Sequence, residues 1–312
     1  MKFALRSPAV CLSGLALLNF ALTLTAQQPP TLHLDSRLLA FALNVTDEHG
    51  APVPNLTAAD FELTEDNRPQ RIAFFDQASS TPLDIVLAID ASESVVPYLH
   101  LERAAARTFL HSLRGQRERI ALIVFSDTVA ETAAFTSNPH RIDAALGHIH
   151  HGHATALYDA VSFASQRFTD TGSGPNTRRI LVLITDGENT THHGSYDSAL
   201  EAAQRSGAMV YSLVLIPVEA DAGRDTGGEH ALMQLATDTG GQSYTITQQT
   251  DLARALEHVS DDLRTQYALG YYPTAMTTRS PIRHIHLQLI NPALGARYTL
   301  RYRTSYYASA QP

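Results

Sequence analysis

Three kinds of hydrophobic pattern follow one another along the chain. Residues 39 to 75 alternate apolar and polar positions in the short stretches LAFALNV, DFELTED and QRIAFFD, separated by the turn-forming TDEHGAPVPN and EDNRP. That period of two, broken by turns, predicts a small antiparallel β unit within residues 31–80, too short to bury much core alone. From Leu83 the apolar runs become continuous and alternate with helical periodicity: LDIVLAID, LERAAARTFLHSLRG, RIALIVFSD and LYDAVSFASQRF, then RRILVLITDG, YDSALEAAQRSG and AMVYSLVLIP. An acidic Gly-rich loop leads on to EHALMQLATDTG, QSYTIT and a last helix from Asp251 to about Gln266. Strands apolar on both faces and separated by helices predict an α/β domain over residues 82–266, a doubly wound and mostly parallel sheet covered by helices. Alternation then returns in YALGYYP, IRHIHLQLI and ARYTLRYRTSYY, which hold seven of the 12 tyrosines. The economical solution is that residues 31–80 and 267–308 pair into one β-sandwich-like domain into which the α/β domain is inserted. Two independent small β modules are the alternative, weaker because neither has an obvious way to cover both faces.

Ahead of these patterns stand Lys2 and Arg6, an apolar run from Ala9 to Leu24, and Thr25-Ala26 before the polar Gln27-Gln28-Pro29-Pro30. Together they read as a secretory signal peptide over residues 1–26, cleaved near Ala26, which implies a secreted or extracytoplasmic protein. A retained anchor is the competing reading, but the run from Ala9 to Leu24 is shorter than the roughly 20 residues that a membrane span needs. No span is then left in the mature chain. The one cysteine, Cys11, lies inside the apolar run, so disulfides, zinc–cysteine sites and cysteine nucleophiles are excluded from the mature protein. Loss of Lys2 and Arg6 from 23 basic residues, set against 31 acidic ones, leaves a net charge of −10, which argues against a nucleic-acid partner. Nothing in the sequence sets the oligomeric state.

The first α/β strand ends in AIDASES, so Asp90, Ser92 and Ser94 project from the carboxyl edge of the sheet, where open α/β sheets bind ligands. A carboxylate with two hydroxyls two residues apart suits a hard divalent cation and suits a soft metal poorly. A second buried strand ends at Asp186 in LITDGEN, and Thr155 precedes a helix starting near Leu157. Taken singly, each of these is explained by helix capping, for which Ser and Asp are favoured.

The set Asp90-x-Ser92-x-Ser94, Thr155 and Asp186 resembles the metal-ion-dependent adhesion site of von Willebrand factor type A domains, with the five ligand types in the right order over residues 82 to about 266. The flanking DFELTEDNRPQRI and QYALGYYP are similar to type A-related secreted proteins of bacteria. The resemblance implies Mg²⁺ (or Mn²⁺, less often Ca²⁺) held by Ser92 and Ser94 directly, with Thr155, Asp90 and Asp186 coordinating directly or through water. It also implies an open position for an acidic side chain of a protein ligand, with binding and no bond cleavage as the outcome. A scaffolding role in an envelope complex is a second function that the same resemblance allows.

An enzyme site is poorly supported, since Ser92 has no histidine placed as its base and a serine committed to a cation is not a free nucleophile. Asp127 and Asp159 read as turn and helix-end residues, while Glu188 stands beside Asp186 as a group that tunes it. The stretch GHIHHGHATALYDA brings His148, His150, His151 and His153 ahead of Thr155, and His192 and His193 follow Asp186. If the fold is right, His150, His151, His153, Glu188, His192 and His193 form a rim around the oxygen site. Imidazoles favour Zn²⁺, Cu²⁺ or Ni²⁺, which would make a metalloenzyme a third reading. Against it, no pair has helical His-x-x-x-His spacing and no acidic third ligand is evident; His148 reads as a helix-end cation. Asn44, Asn55 and Asn189 each match the glycosylation pattern.

Overall fold

The computed structural model describes residues 38–77, 81–113, 118–174, 177–216, 225–273 and 280–308. The expected signal segment 1–26, the start of the expected N-terminal β segment and most of the acidic Gly-rich loop lie outside the described residues. Period-two alternation gives the first four strands, β1 (Leu39–Thr46), β2 (Phe61–Glu65), β3 (Arg68–Gln70) and β4 (Ile72–Gln77). The turn between β2 and β3 places Asp66 and Asn67 at φ of 46° and 63°, the left-handed region that these two residue types enter most easily after glycine.

The continuous apolar runs become the α/β layer. In chain order it comprises β5 (Leu83–Asp90), α1 (Leu99–Ser112), β6 (Glu118–Phe125), β7 (Val129–Thr136), α2 (Pro139–Leu146), α3 (Leu157–Asp170) and β8 (Arg178–Thr185). It continues through α4 (Tyr196–Ser206), β9 (Ala208–Leu215), α5 (Thr226–Thr239), β10 (Gln242–Ile246) and α6 (Gln249–Thr265). The chain closes with β11 (Tyr267–Tyr271), β12 (Ile282–Leu289), the one-turn α7 (Pro292–Gly295), β13 (Thr299–Tyr302) and β14 (Ser305–Tyr307).

The central sheet has the order β10-β9-β8-β5-β6-β7, parallel throughout except for β7, which returns antiparallel to β6 at the edge. Every residue of β5 is buried because both faces are covered. Ile85, Leu87 and Ile89 point to the side packed by α1 and α6, where Phe109, Leu256 and Val259 meet them. Val86 and Ala88 point to the opposite side, against Leu157, Val161 and Phe168 of α3. Each such aliphatic side chain contributes about 1.5–3 kcal/mol on full burial, so strand and helix periodicity select the same layering. The periodicity runs from β6 to α3 without showing β7, and α2 enters only as the helix whose end His148 marks, without bounds. β7 is half exposed and rich in alanine, so its alternation is weak, while α2 is announced only by Asn138, whose side chain accepts from His140 N (3.0 Å) just before Pro139.

The flanking strands assemble into two four-stranded sheets, ordered β13-β1-β11-β4 and β14-β12-β2-β3, and each mixes strands from before and after the α/β layer. Phe41 of β1 lies opposite Leu269 of β11, and Leu63 of β2 opposite Leu287 of β12. One apolar core joins the two sheets, with Phe41, Leu43 and Leu269 from the first and Phe61, Leu63 and Leu287 from the second. At its end Glu65, fully buried, accepts from Arg283 Nη2 (2.9 Å), Tyr271 Oη (3.0 Å) and Tyr306 Oη.

These sheets meet the α/β layer at the amino ends of its strands, through polar groups. Asp262 near the end of α6 receives both Arg301 Nη2 (2.8 Å) and Tyr211 Oη (3.2 Å), and Asn44 Nδ2 donates to the same tyrosine oxygen (3.4 Å). Arg178, the first residue of β8, donates to Leu263 O (2.6 Å) and Gln266 Oε1 (2.9 Å). Among the described residues no helix is long and apolar enough to cross a membrane.

Replacing Arg283 by Met leaves the Glu65 charge buried without its cation and is expected to cost about 3–5 kcal/mol in urea unfolding. Tyr271→Phe, which removes one neutral donor, should cost about 1 kcal/mol. Equal losses in the two variants would locate the stabilisation in the phenol and not in the ion pair.

Candidate functional site

β5 and β8 are neighbours whose onward connections diverge: α1 carries the chain from β5 towards β6 on one side, and α4 carries it from β8 to β9 on the other. The carboxyl ends of these two strands therefore part at a topological switch point, the place where open α/β sheets leave a crevice. Asp90 is the last residue of β5 and Asp186 directly follows β8.

Asp90 is fully buried, its Oδ1 accepting from Ser92 N (2.9 Å) and its Oδ2 from Thr185 Oγ1 (2.6 Å). Ser92 is buried as well, and its Oγ lies 3.2 Å from Oγ of the exposed Ser94. Asp186 Oδ1 accepts from Glu188 N (3.2 Å). Thr155 is buried in the loop that enters α3.

Backbone hydrogen bonds stitch the three loops together. Gly152 N donates to Ala91 O (2.9 Å), while Thr155 O accepts from both Thr190 N (3.0 Å) and Thr191 N (3.2 Å). In return Thr155 N donates to Thr190 Oγ1 (2.8 Å). The segments bearing Asp90, Ser92, Ser94, Thr155 and Asp186 thus converge on one edge of the sheet. A fourth segment closes in behind them. Gly187 turns at φ 92°, and its carbonyl oxygen sits 2.0 Å from where a side chain on Gly228 would begin, so α5 needs glycine there to approach. Asp225 caps that helix by accepting from Gly227 N and Gly228 N, each at 3.0 Å.

Charge is concentrated in this crevice. Burial pushes the Asp90 carboxyl up to about 7, against the lowering effect of its bonds from Thr185 and Ser92, and the Asp186 charge adds to the rise. Glu188 is also raised, by burial first and then by Asp186 and Asp225. Glu102 went unnoticed in the sequence. It stands on the inward stripe of α1 with Leu99, Ala105, Ala106 and Phe109, is fully buried, and neither carboxylate oxygen has a hydrogen-bond partner. An acidic residue in register with a helix's apolar stripe was the available signal. Among the described residues no three His, Cys, Asp or Glu side chains stand close enough to hold a metal by themselves, so a cation at this edge has to draw on the hydroxyls as well.

The histidines remain outside that cluster. His148 Nδ1 is 2.7 Å from Ala144 O at the end of α2. His153 is 86% exposed with Nδ1 3.3 Å from Glu93 Oε2, and His150, His151, His192 and His193 are exposed. Their loop is shaped by Asp127, whose carboxylate accepts from His153 N (2.9 Å) and Ala154 N (3.2 Å); these bonds, the one from His153 foremost, hold it below the usual carboxylate range. Asn189 is engaged at both ends of its amide, accepting from Tyr158 N (3.3 Å) and donating to Thr191 O (2.8 Å), so its glycosylation pattern coincides with a structural role.

The family model of the von Willebrand factor type A domain matches residues 84–285. The human collagen alpha-6(VI) chain is 30% identical over 170 residues, which is 49% of this chain and 7% of the collagen chain; the mouse protein is 29% identical over 154 residues. The chain thus spans a small part of the length of these relatives. Among solved structures, proximal thread matrix protein 1 from the mussel byssus aligns with a TM-score of 0.50 at 16% identity, covering 64% of this chain and 50% of that one. BatB from Bacteroides thetaiotaomicron aligns with a TM-score of 0.46 at 22% identity, covering 58% of this chain and 98% of that one. With the family model extending over well over half of its length, the chain belongs to the von Willebrand factor type A family.

Proposed function

We propose that this is a secreted, non-enzymatic binding protein that recognises a protein ligand through a divalent cation, Mg²⁺ or its substitutes Mn²⁺ and Ca²⁺, bridged to a carboxylate of that ligand. The observation that carries the reading is the buried Asp90 carboxylate, held beside Asp186 at the switch point, with the hydroxyl-bearing loops of Ser92, Ser94 and Thr155 tied to it by main-chain bonds. An all-oxygen set of two carboxylates and three hydroxyls matches a hard cation, and burial that pushes Asp90 up to about 7 is relieved when a cation takes the proton's place. The two carboxylates balance the ion's charge, and five donors leave a position unfilled on a cation that takes about six oxygen ligands, which an acidic side chain from outside can occupy. Exposed Ser94 marks the solvent side from which it enters. Secretion is supported by the signal-like segment 1–26.

Asp90→Ala or Asp186→Ala is expected to abolish Mg²⁺-dependent capture of immobilised Asp- and Glu-containing peptides, with circular dichroism unchanged; capture by the wild type that persists in EDTA overturns the reading. A second expectation concerns pH. The folded pKa of Asp90 lies above the value of 3.8 for an unperturbed carboxyl. Its contribution to stability is therefore complete below about pH 4 and is lost as pH rises towards about 7, by up to about 1.4 kcal/mol per pH unit. Urea unfolding of the metal-free protein should show this decline, which Asp90→Asn or saturating Mg²⁺ should remove; an identical pH profile in Asp90→Asn would assign the decline to other groups.

A further inference from the structure

Glutamate in the first turn of a helix ordinarily faces water or answers the helix's free amides. Glu102 does neither. It is fully buried, and both carboxylate oxygens lack a hydrogen-bond partner. Asp90 and Asp186 are the acidic groups whose charges act most strongly on it, ahead of the neighbouring cation Arg103. The adjacent Arg103 Nη2 donates to Ile149 O (3.1 Å), which ties this turn of α1 to the loop that ends in Thr155. Glu102 thus lies within the electrostatic reach of both Asp90 and Asp186, and an unpartnered buried carboxylate needs a cation or a hydrogen-bond donor to offset its desolvation.

We propose that Glu102 is a further acidic group of the cation site, its buried carboxylate accepting hydrogen bonds from water on the bound ion, so that the ion is held by three carboxylates and not two. Action through water fits the fact that, among the described residues, no three His, Cys, Asp or Glu side chains form a metal-holding group by themselves. Ion-bound water is a strong donor, and such outer partners tune both affinity and ligand orientation. With Glu102 included, the negative charge facing the ion exceeds that of the five-residue set by one. The site thus holds its cation more firmly, and depends less on an external carboxylate to keep it, than a site with two carboxylates alone.

The proposal rests on reading the Asp90–Asp186 crevice as a cation site, and the experiment separates the two. Mn²⁺ alone is titrated into the full chain and free Mn²⁺ is counted by electron paramagnetic resonance, alongside the melting temperature of the metal-free protein. Glu102→Gln should weaken Mn²⁺ binding by about tenfold or more, while the metal-free melting temperature stays level or rises because a buried acid without a partner is gone. Glu102→Asp should recover part of the affinity. Wild-type Mn²⁺ affinity in Glu102→Gln, with binding lost in Asp186→Ala, overturns the role of Glu102 and leaves the cation site standing. An affinity loss in Glu102→Gln matched by a lower metal-free melting temperature assigns the residue to folding and overturns it too. A folded wild-type protein that binds no Mn²⁺ overturns both readings.

Discussion

Asp90 ends a strand that has no exposed residue, so its carboxylate must be accommodated inside the protein, and the arrangement of the loops at this edge of the sheet follows from how that is done. The side chain takes a hydroxyl from the neighbouring strand, at Thr185, and an amide from its own loop, at Ser92. Those two bonds fix the start of the loop between β5 and α1. Gly152 then binds the carbonyl next to Asp90, which draws in the loop bearing Thr155, and Thr155 in turn holds the loop after Asp186. Removing water from a charge is costly unless donors or counter-charges replace it, and here the two donors come from the neighbouring strand and from Asp90's own loop. The bonds that satisfy Asp90 and the bonds that tie the three loops together thus meet at Ala91 and Ser92, directly after the acid.

Opposite that crevice the protein solves a second polar problem. Asp262 on α6, Tyr211 on β9, Asn44 on β1 and Arg301 on β13 are joined in one hydrogen-bonded network across the seam between the α/β layer and the flanking sheets. Such a seam is demanding, because each member is satisfied only when all four elements are in register. The direct passage of α6 into β11, with Gln266 as the joint and Arg178 gripping its side chain, leaves little slack in the connection.

Sequence pattern alone reached the layer order of the α/β sheet because strands buried on two faces and helices buried on one have different periods, and those periods are long and clean here. It also singled out Asp90, Ser92, Ser94, Thr155 and Asp186, whose loops meet at one edge of the sheet because they lie at strand ends or helix starts, where position along the chain predicts position in space. Edge elements were lost. β7 alternates in small residues with half its surface in water, and nothing but Asn138-Pro139 advertises α2. Glu102 was lost for a different reason, since a single charged residue in an apolar stripe is usually read as a solvated edge, and only its orphaned oxygens show otherwise. The histidines illustrate the reverse. Their density drew the eye, yet six of them project from loops shaped by Asp127 and Thr155 and none is drawn inward with the acids.

Placing the flanking sheets at the amino ends of the central strands has a mechanical consequence. β1 and β14, the first and last described strands, both lie in those sheets, while the crevice opens at the far ends of β5 and β8. A tension applied between a partner seated at the crevice and whatever holds the sheets would run along strands of eight residues, a span of about 26 Å at roughly 3.3 Å per residue. Load in that direction acts on the parallel ladders of β5, β6 and β8 in shear, so many hydrogen bonds resist together and are not opened one by one. Such a pull would be met by the paired strands as a set, and not by the single loop on which the partner sits.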